Sequence, residues 1–295
     1  MTQLLAESTP ALVGVVFLLG LLVGSFLNVV IHRLPVMLER GWKRDYLELE
    51  GKPVPAEAPY DLIRPRSACP ACKAPITALQ NIPIASWLVL RGRCASCRAP
   101  ISVRYPLVEL LTALLSAAVA WRFGANWTTA AALLLTWFLI ALACIDLDTQ
   151  LLPDSLTLPL LWLGLLAALW LPLARGARLP VDLRSAVIGA IAGYLALWSV
   201  YHLFRLLTGK EGMGHGDFKL LAALGAWLGW QMLLPIVLAA AGVGAVVGIG
   251  AILLRRRAAG IPMAFGPYLA AAGWLMLMFG PQLVDSYLGL YDLPR

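Results

Sequence analysis

The chain has 295 residues, 60% of them hydrophobic and only 13% charged, whereas ordinary soluble domains are roughly half apolar and about a quarter charged. With a mean hydropathy of +0.80, this composition excludes a soluble globular enzyme and indicates a polytopic membrane protein. The formal net charge of +7 is then first an orientation signal and only second a sign of anionic partners.

The first apolar run, residues 11–31, is long enough to cross a bilayer and follows Glu7 rather than a basic cluster, so it reads as a spanning helix and not as a cleavable signal peptide. Seven further runs follow at 106–122, 128–145, 156–173, 185–206, 219–232, 234–254 and 264–280. The sixth is the shortest, and Pro235 after it suggests a tight hairpin with the seventh. Between the first two runs lies one long polar segment, Arg33 to Arg104, rich in proline and holding four of the five cysteines. It also carries twelve basic residues, so the excess of Lys and Arg places it in the cytoplasm. Alternating from there puts eighteen of the 23 basic residues on the cytoplasmic side, Arg255, Arg256 and Arg257 among them, and both termini on the other. Small residues four apart recur at Gly189 and Gly193, Gly225 and Gly229, and Gly244 and Gly248. Such pairs read as helix-packing faces, not as cofactor loops.

In the polar segment, Cys69-Pro-Ala-Cys72 and Cys94-Ala-Ser-Cys97 form two CxxC pairs with 21 residues between them. Two such turns supply the four thiolates of a tetrahedral zinc site, and the nearby Lys73, Arg91, Arg93 and Arg98 favour the thiolate form. The competing reading is two disulfides, which a reducing cytoplasm disfavours. Four protein ligands leave no open position for water, so the metal's expected role is structural, cross-linking a segment with little core of its own. The aromatic interleaving of a single-strand platform is weak, and no nucleic-acid partner is expected.

Acids at the mouths of spans are few. The third run ends in "CIDLDTQLLPD", with Asp146, Asp148 and Asp154, and the sixth is preceded by "GKEGMGHGD", which ends on Asp217. On the topology above, all four acids share the cytoplasmic membrane face, so two junctions 71 residues apart can meet. Two carboxylates held together share one proton, and the ionised member then activates water while the neutral one protonates the carbonyl or the leaving amine. Gly214 and Gly216 flank Asp217 without side chains, which leaves room for a substrate backbone or the opposite acid and permits a positive φ. Each residue also has a plainer reading. Asp154 caps the fourth span with Ser155, Asp148 is a solvated or orienting acid, and Asp217 pairs locally with Lys219. His215 reads as a polar loop residue. Glu109, inside the second span, is a functional or pairing candidate because of its depth.

Gly214-His215-Gly216-Asp217 matches the GxGD signature of membrane-embedded aspartyl proteases. With "GSFLNVVIHRLP", the paired CxxC segment, "RYPLVELLT", "IDLDTQLLPD" and "EGMGHGDFKLLAALGAW", in that order, the chain resembles the bacterial type IV prepilin peptidases. The resemblance implies a bifunctional enzyme of the bacterial inner membrane with its active site facing the cytoplasm. Such an enzyme cleaves the basic leader of type IV prepilins and type II secretion pseudopilins after a glycine, then methylates the new N-terminus from S-adenosylmethionine. It further implies Asp146 and Asp217 as the catalytic pair, with Asp146 preferred over Asp148. Asp148, Asp154, Gly214, Gly216, Lys219 and Glu109 are in supporting places. The zinc ligands are Cys69, Cys72, Cys94 and Cys97. The carriers of the methyl donor, by elimination, are the cytoplasmic segment and the Gly24–Pro35 motif.

The expected architecture is thus an all-α polytopic membrane protein of about eight transmembrane helices with a small zinc-binding cytoplasmic domain. It divides into a first transmembrane helix (1–32), a cytoplasmic zinc-binding segment (33–104) and a protease domain of about seven helices (105–295). Its expected partners are prepilin and pseudopilin substrates and membrane lipid. An ion- or proton-coupled transporter is the alternative from another class, but acids at one face rather than near the midplane speak against it.

Overall fold

A computed structural model of the protein describes residues 8–171, 181–254 and 263–290. The regular structure among these residues is helical, as expected, and each expected apolar run has a helix: α1 (Thr9–Leu49), α3 (Arg104–Phe123), α4 (Trp127–Thr149), α5 (Asp154–Trp170), α6 (Leu183–Thr208), α7 (His215–Leu228), α8 (Leu233–Leu253) and α9 (Gly266–Leu290), although the sixth run, 219–232, breaks at Gly229 and the end of the fourth, 172–173, lies outside the described residues. The short α2 (Ala85–Val89) lies within the polar segment. Among the described residues, five segments are long and apolar enough to cross a membrane on their own, namely α1, α3, α4, α6 and the run Trp230–Ala251. α5 and Gly266–Gly280 are shorter apolar helices. At 14 residues, α7 measures about 21 Å, well under the ~30 Å of a hydrocarbon core. The Arg255–Arg257 run, Arg175, Arg178 and Arg295 of the orientation argument lie outside the described residues.

The chain forms two compact units, Met1–Ala125 and Asn126–Arg295. In the first, α1 begins at Ser8, whose hydroxyl accepts from the Ala11 N–H. It does not stop where the apolar run stops. It continues through Pro35 for 41 residues, about 61 Å of helix. α3 packs along it where glycine allows. A Cβ added at Gly20 would lie 2.7 Å from the Ala113 Cα, and one at Gly24 2.7 Å from the Glu109 Cα. Hydroxyls inside α3 return to its own carbonyls, Thr112 to Val108 and Ser116 to Thr112, each at 2.7 Å, so they cost little in an apolar setting.

In the second unit, caps set the helix ends. Asn126 accepts from the Thr129 N–H at 3.0 Å and Asp182 from the Ser185 N–H at 3.2 Å, while Gly209 closes α6 in the left-handed region. α7 is the interior helix, with every residue from Leu220 to Leu228 buried. A helix apolar all round belongs in a core. Glycine gives α6 and α7 their closeness: a Cβ at Gly189 would lie 2.3 Å from the Gly225 O, one at Gly225 2.2 Å from the Gly189 O, and one at Gly193 2.7 Å from the Leu221 O. The packing reading of these glycines is therefore correct. Gly244 and Gly248 differ, for their nearest neighbours are side chains of Tyr268 and Met263 at 3.4 and 3.2 Å. Gly164 makes room for Trp227, whose indole N–H donates to the Leu160 O at 2.8 Å.

Candidate active site and metal centre

Asp146 lies near the C-terminal end of α4, where Gln150, in the left-handed region at φ 56°, stops the helix by donating its N–H to the Asp146 O. Asp217 is the third residue of α7. Both side chains are buried, at 4% and 6% exposure, and they are near enough for the Asp146 charge to act on Asp217. The Asp146 Oδ2 accepts from the Gly266 N–H at 2.9 Å, at the start of α9. The Asp217 Oδ1 is buried without a hydrogen-bond partner among the described residues. An orphaned buried carboxylate oxygen is costly. No described residue meets it, so one oxygen of Asp217 stands ready for a partner.

Leu152, in the turn between α4 and α5, packs beside both acids. A Cβ at Gly216 would lie 2.6 Å from the Leu152 Cβ, and one at Gly266 3.2 Å from its Cδ1 and 2.6 Å from the Asp146 Oδ2. Gly216 is thus required for close approach to Leu152. Gly214 meets only the Asp217 Oδ2, at 3.9 Å, and has an ordinary φ of −79°. The space beside Asp217 is as expected; a positive φ at Gly214 is not needed.

The supporting residues separate. Asp148 is exposed, two positions along α4 from Asp146, and so lies away from the buried acid. Asp154 is not the helix cap, since Pro153 holds that position and makes no side-chain cap bond. Instead Asp154 receives Lys219, whose Nζ lies 2.6 and 2.8 Å from its two oxygens. Lys219 therefore does not pair with Asp217 but ties the start of α5 to the second turn of α7. His215 sits among aromatic rings, 5.2 Å from Tyr201 and 5.3 Å from Phe218. Glu109 belongs to the first unit, where its Oε2 accepts from the Ile84 N–H at 2.7 Å.

Two residues were not singled out by sequence reasoning. One is Gly266, whose only signal is a Gly-Pro pair opening the last apolar run. The other is Arg33, which was counted as an orientation charge. It is buried and donates to the Asp61 O at 2.9 Å and the Pro65 O at 2.7 Å, fastening α1 to the approach to the first cysteine pair. The Asp61 carboxylate in turn accepts from the Ile63 and Arg64 N–H groups at 2.7 and 2.6 Å.

The four cysteines of the two pairs converge, with all four Sγ atoms within 4.8 Å of one another. Cys69 and Cys97 are 3.8 Å apart and Cys72 and Cys94 are 4.0 Å apart. A tetrahedron with Zn–S bonds of about 2.3 Å has an edge of about 3.8 Å, so the spacing suits a metal and not a disulfide. Each pair sits in a small hairpin of one design. Cys69 N–H donates to Ala74 O and Cys94 N–H to Ala99 O, and Lys73 and Arg98 turn the chain at φ 61° and 62°. The N–H groups of Cys97 and then Ser96 point at the Cys94 sulfur and hold its thiol down to about 6, the thiolate side of neutral. Cys97 has help from the Ala99 N–H, yet the neighbouring Cys72, burial and the other thiols push it up to about 11. Four sulfurs at this spacing form a group that can hold a metal ion.

Residues 18–123 match the family model described as the bacterial peptidase A24 N-terminal domain, and residues 133–249 match that of the type IV leader peptidase family. The chain is 60% identical over 288 residues to the prepilin leader peptidase/N-methyltransferase of Aeromonas hydrophila, covering 96% of this chain and 97% of that one. It is 55% identical to the protein of the same description from Pseudomonas aeruginosa, over 96% of each chain. To that of Neisseria gonorrhoeae it is 51% identical, over 92% of each. No solved structure matches.

Proposed function

The chain belongs to the type IV leader peptidase family, and from that premise we propose that Asp146 and Asp217 are the pair with which it cuts prepilin leaders. It is a prepilin leader peptidase and N-methyltransferase. The observation that carries the assignment is the orphaned Asp217 Oδ1, buried within electrostatic reach of a second buried carboxylate.

The pair holds one proton. The ionised acid takes a proton from water as the water oxygen attacks the scissile carbonyl. The protonated acid gives its proton to the carbonyl oxygen. The resulting tetrahedral diol collapses as a proton passes to the leaving amine, and the C–N bond breaks. The Gly266 N–H fixes the rotamer of Asp146, which leaves Asp217 as the acid with a free oxygen to meet the substrate. Cleavage needs one acid ionised and one protonated, so its rate falls on both sides of a pH optimum.

The substrates are prepilins and, by the same chemistry, type II secretion pseudopilins. A basic leader followed by an apolar helix suits a membrane enzyme with acids at its surface. The site faces the cytoplasm and the membrane is the bacterial inner membrane, as the distribution of Lys and Arg suggests. We assign the first transmembrane helix to residues 1–32, the metal-binding segment to 33–104 and the protease domain to 105–295. The cysteine cluster holds a structural zinc. S-adenosylmethionine, which the relatives' description implies, supplies the methyl group. Within the Gly24–Pro35 motif, Gly24 packs on Glu109 and Arg33 donates to two backbone carbonyls, so these two residues are not open to the methyl donor.

The test is cleavage of a prepilin-like peptide by the purified protein. Asp146→Asn and Asp217→Asn are expected to abolish turnover with folding intact, and the exposed Asp148→Asn to retain it. Full activity in Asp217→Asn overturns the pair.

A further inference from the structure

Glu109 is a buried acid inside a spanning helix, and the cleavage steps proposed above do not draw on it. Its carboxylate serves the segment 79–90 of its own unit. Ile84, a β-branched residue held at φ 58°, donates its N–H to the Glu109 Oε2 at 2.7 Å. Residues with a branched Cβ rarely sit in that region, so the bond fixes a specific position. That position is deep. Glu109 lies five residues into α3, about 7.5 Å below its start, and packs on Gly24 of α1, seven residues or about 10 Å before the end of the apolar run at Ile31.

The segment suits such a depth. Its exposed side chains are apolar with one exception, Asn81: Leu79 is 77% exposed, Leu88 61% and Val89 82%, with Ile82 and Ala85 also exposed. Its backbone is bonded within itself, Ser86 N–H to Ile82 O, Leu88 to Ile84, Leu90 to Ser86 and Gly92 to Trp87, at 2.9–3.1 Å, while Pro83 has no N–H to satisfy. Irregular backbone is tolerated at membrane depth only when its polar groups are met by protein. On its other side, Trp87 donates to the Ile101 O at 3.2 Å and packs over Gly92. Arg91 and Arg93, both exposed, follow at once and suit lipid phosphates. The neighbouring surface of α3 is exposed Leu107, Leu111 and Leu114, the acyl-chain side of a spanning helix.

We propose that residues 79–90 form a re-entrant element embedded in the bilayer's surface layer, with Leu79, Ile82, Leu88 and Val89 against acyl chains and Glu109 as its anchor. This goes beyond the peptidase reading and rests only on α3 crossing the membrane.

The test is photo-cross-linking in vesicles of phosphatidylethanolamine and phosphatidylglycerol. Benzoylphenylalanine is placed singly at positions 88, 89, 114 and 49 of the full chain, and adducts are identified by mass spectrometry. Lipid adducts are expected at 88 and 89 as at the spanning position 114, and none at 49, which lies about 27 Å of helix beyond Ile31. Adducts at 114 without adducts at 88 and 89 overturn the proposal. So do adducts at 88 and 89 that form only with an added prepilin-like peptide. In the anchor arm, Glu109→Gln keeps an acceptor and should retain the lipid adduct at 89. Glu109→Ala should lose it while the metal content stays; an undiminished adduct in that variant removes Glu109 from the role.

Discussion

Gly266 carries a requirement that its side chain, or lack of one, makes unusually sharp. A methyl group there would stand 2.6 Å from the Asp146 Oδ2 and 3.2 Å from the Leu152 Cδ1. Either the carboxylate or the start of α9 has to move, and a displacement of an ångström at a reacting group costs about a hundredfold in rate. Gly266→Ala is therefore expected to lower kcat/KM by about two orders of magnitude with the chain still folded; peptide cleavage alongside thermal unfolding in detergent checks it. Neither Gly266 nor its bond to Asp146 was legible in the sequence, because the two residues are 120 positions apart and a lone glycine before a proline says nothing of what lies opposite. Asp146 and Asp217 were legible, since each falls where an apolar run meets a polar turn. The plainer reading of Asp217 as a local partner of Lys219 fails for a local reason: Asp217 is two residues away, but on a helix such neighbours point to different sides, and Asp154 waits across the interface.

At the scale of elements, the contact between α6 and α7 is backbone against backbone. A Cβ at Gly225 or at Gly189 would fall 2.2 or 2.3 Å from the other's carbonyl oxygen, and neither atom is the flexible end of a side chain. Gly225→Ala is expected to destabilise the protein by about 1–3 kcal/mol, the range for overpacking. Gly242→Ala, on α8 with nothing within 4 Å of the added carbon, is expected to be neutral or to stabilise by about 0.5–1 kcal/mol through helix propensity. Unfolding midpoints of the two variants in one detergent make the comparison, and equal effects would contradict the packing. The four-residue glycine spacing disclosed a packing face but not its partner, so the tight pairs Gly189 and Gly225 could not be told from Gly244 and Gly248. The interior place of α7 was likewise hidden. At 14 residues its helix is too short to cross a membrane, and what surrounds it is decided by α5, α6 and α9.

For the whole molecule, the first unit has a cysteine cluster that can hold a metal and the second a pair of acids, and the two are expected to fail separately. Removing the metal by a strong chelator, or Cys→Ser at any of positions 69, 72, 94 and 97, should release one zinc per chain and loosen residues 67–101, since the cross-link between the two hairpins is lost. Metal analysis and hydrogen exchange of that stretch check it; a chain with no zinc, or unchanged protection, speaks against the site. Asp217→Asn should leave the metal content untouched.

The two cysteine hairpins share more than their ligands. Cys-x-x-Cys is followed in each by a basic residue in the left-handed region, then Ala-Pro-Ile, 25 positions apart, and an isolated bridge closes each, Ala68 with Pro75 and Arg93 with Pro100. The seat is therefore built from interchangeable halves related by a rough local dyad. Exchanging residues 69–76 with 94–101 should preserve one zinc per chain. What distinguishes the halves is their surroundings, because only the second has a tryptophan lying over its glycine.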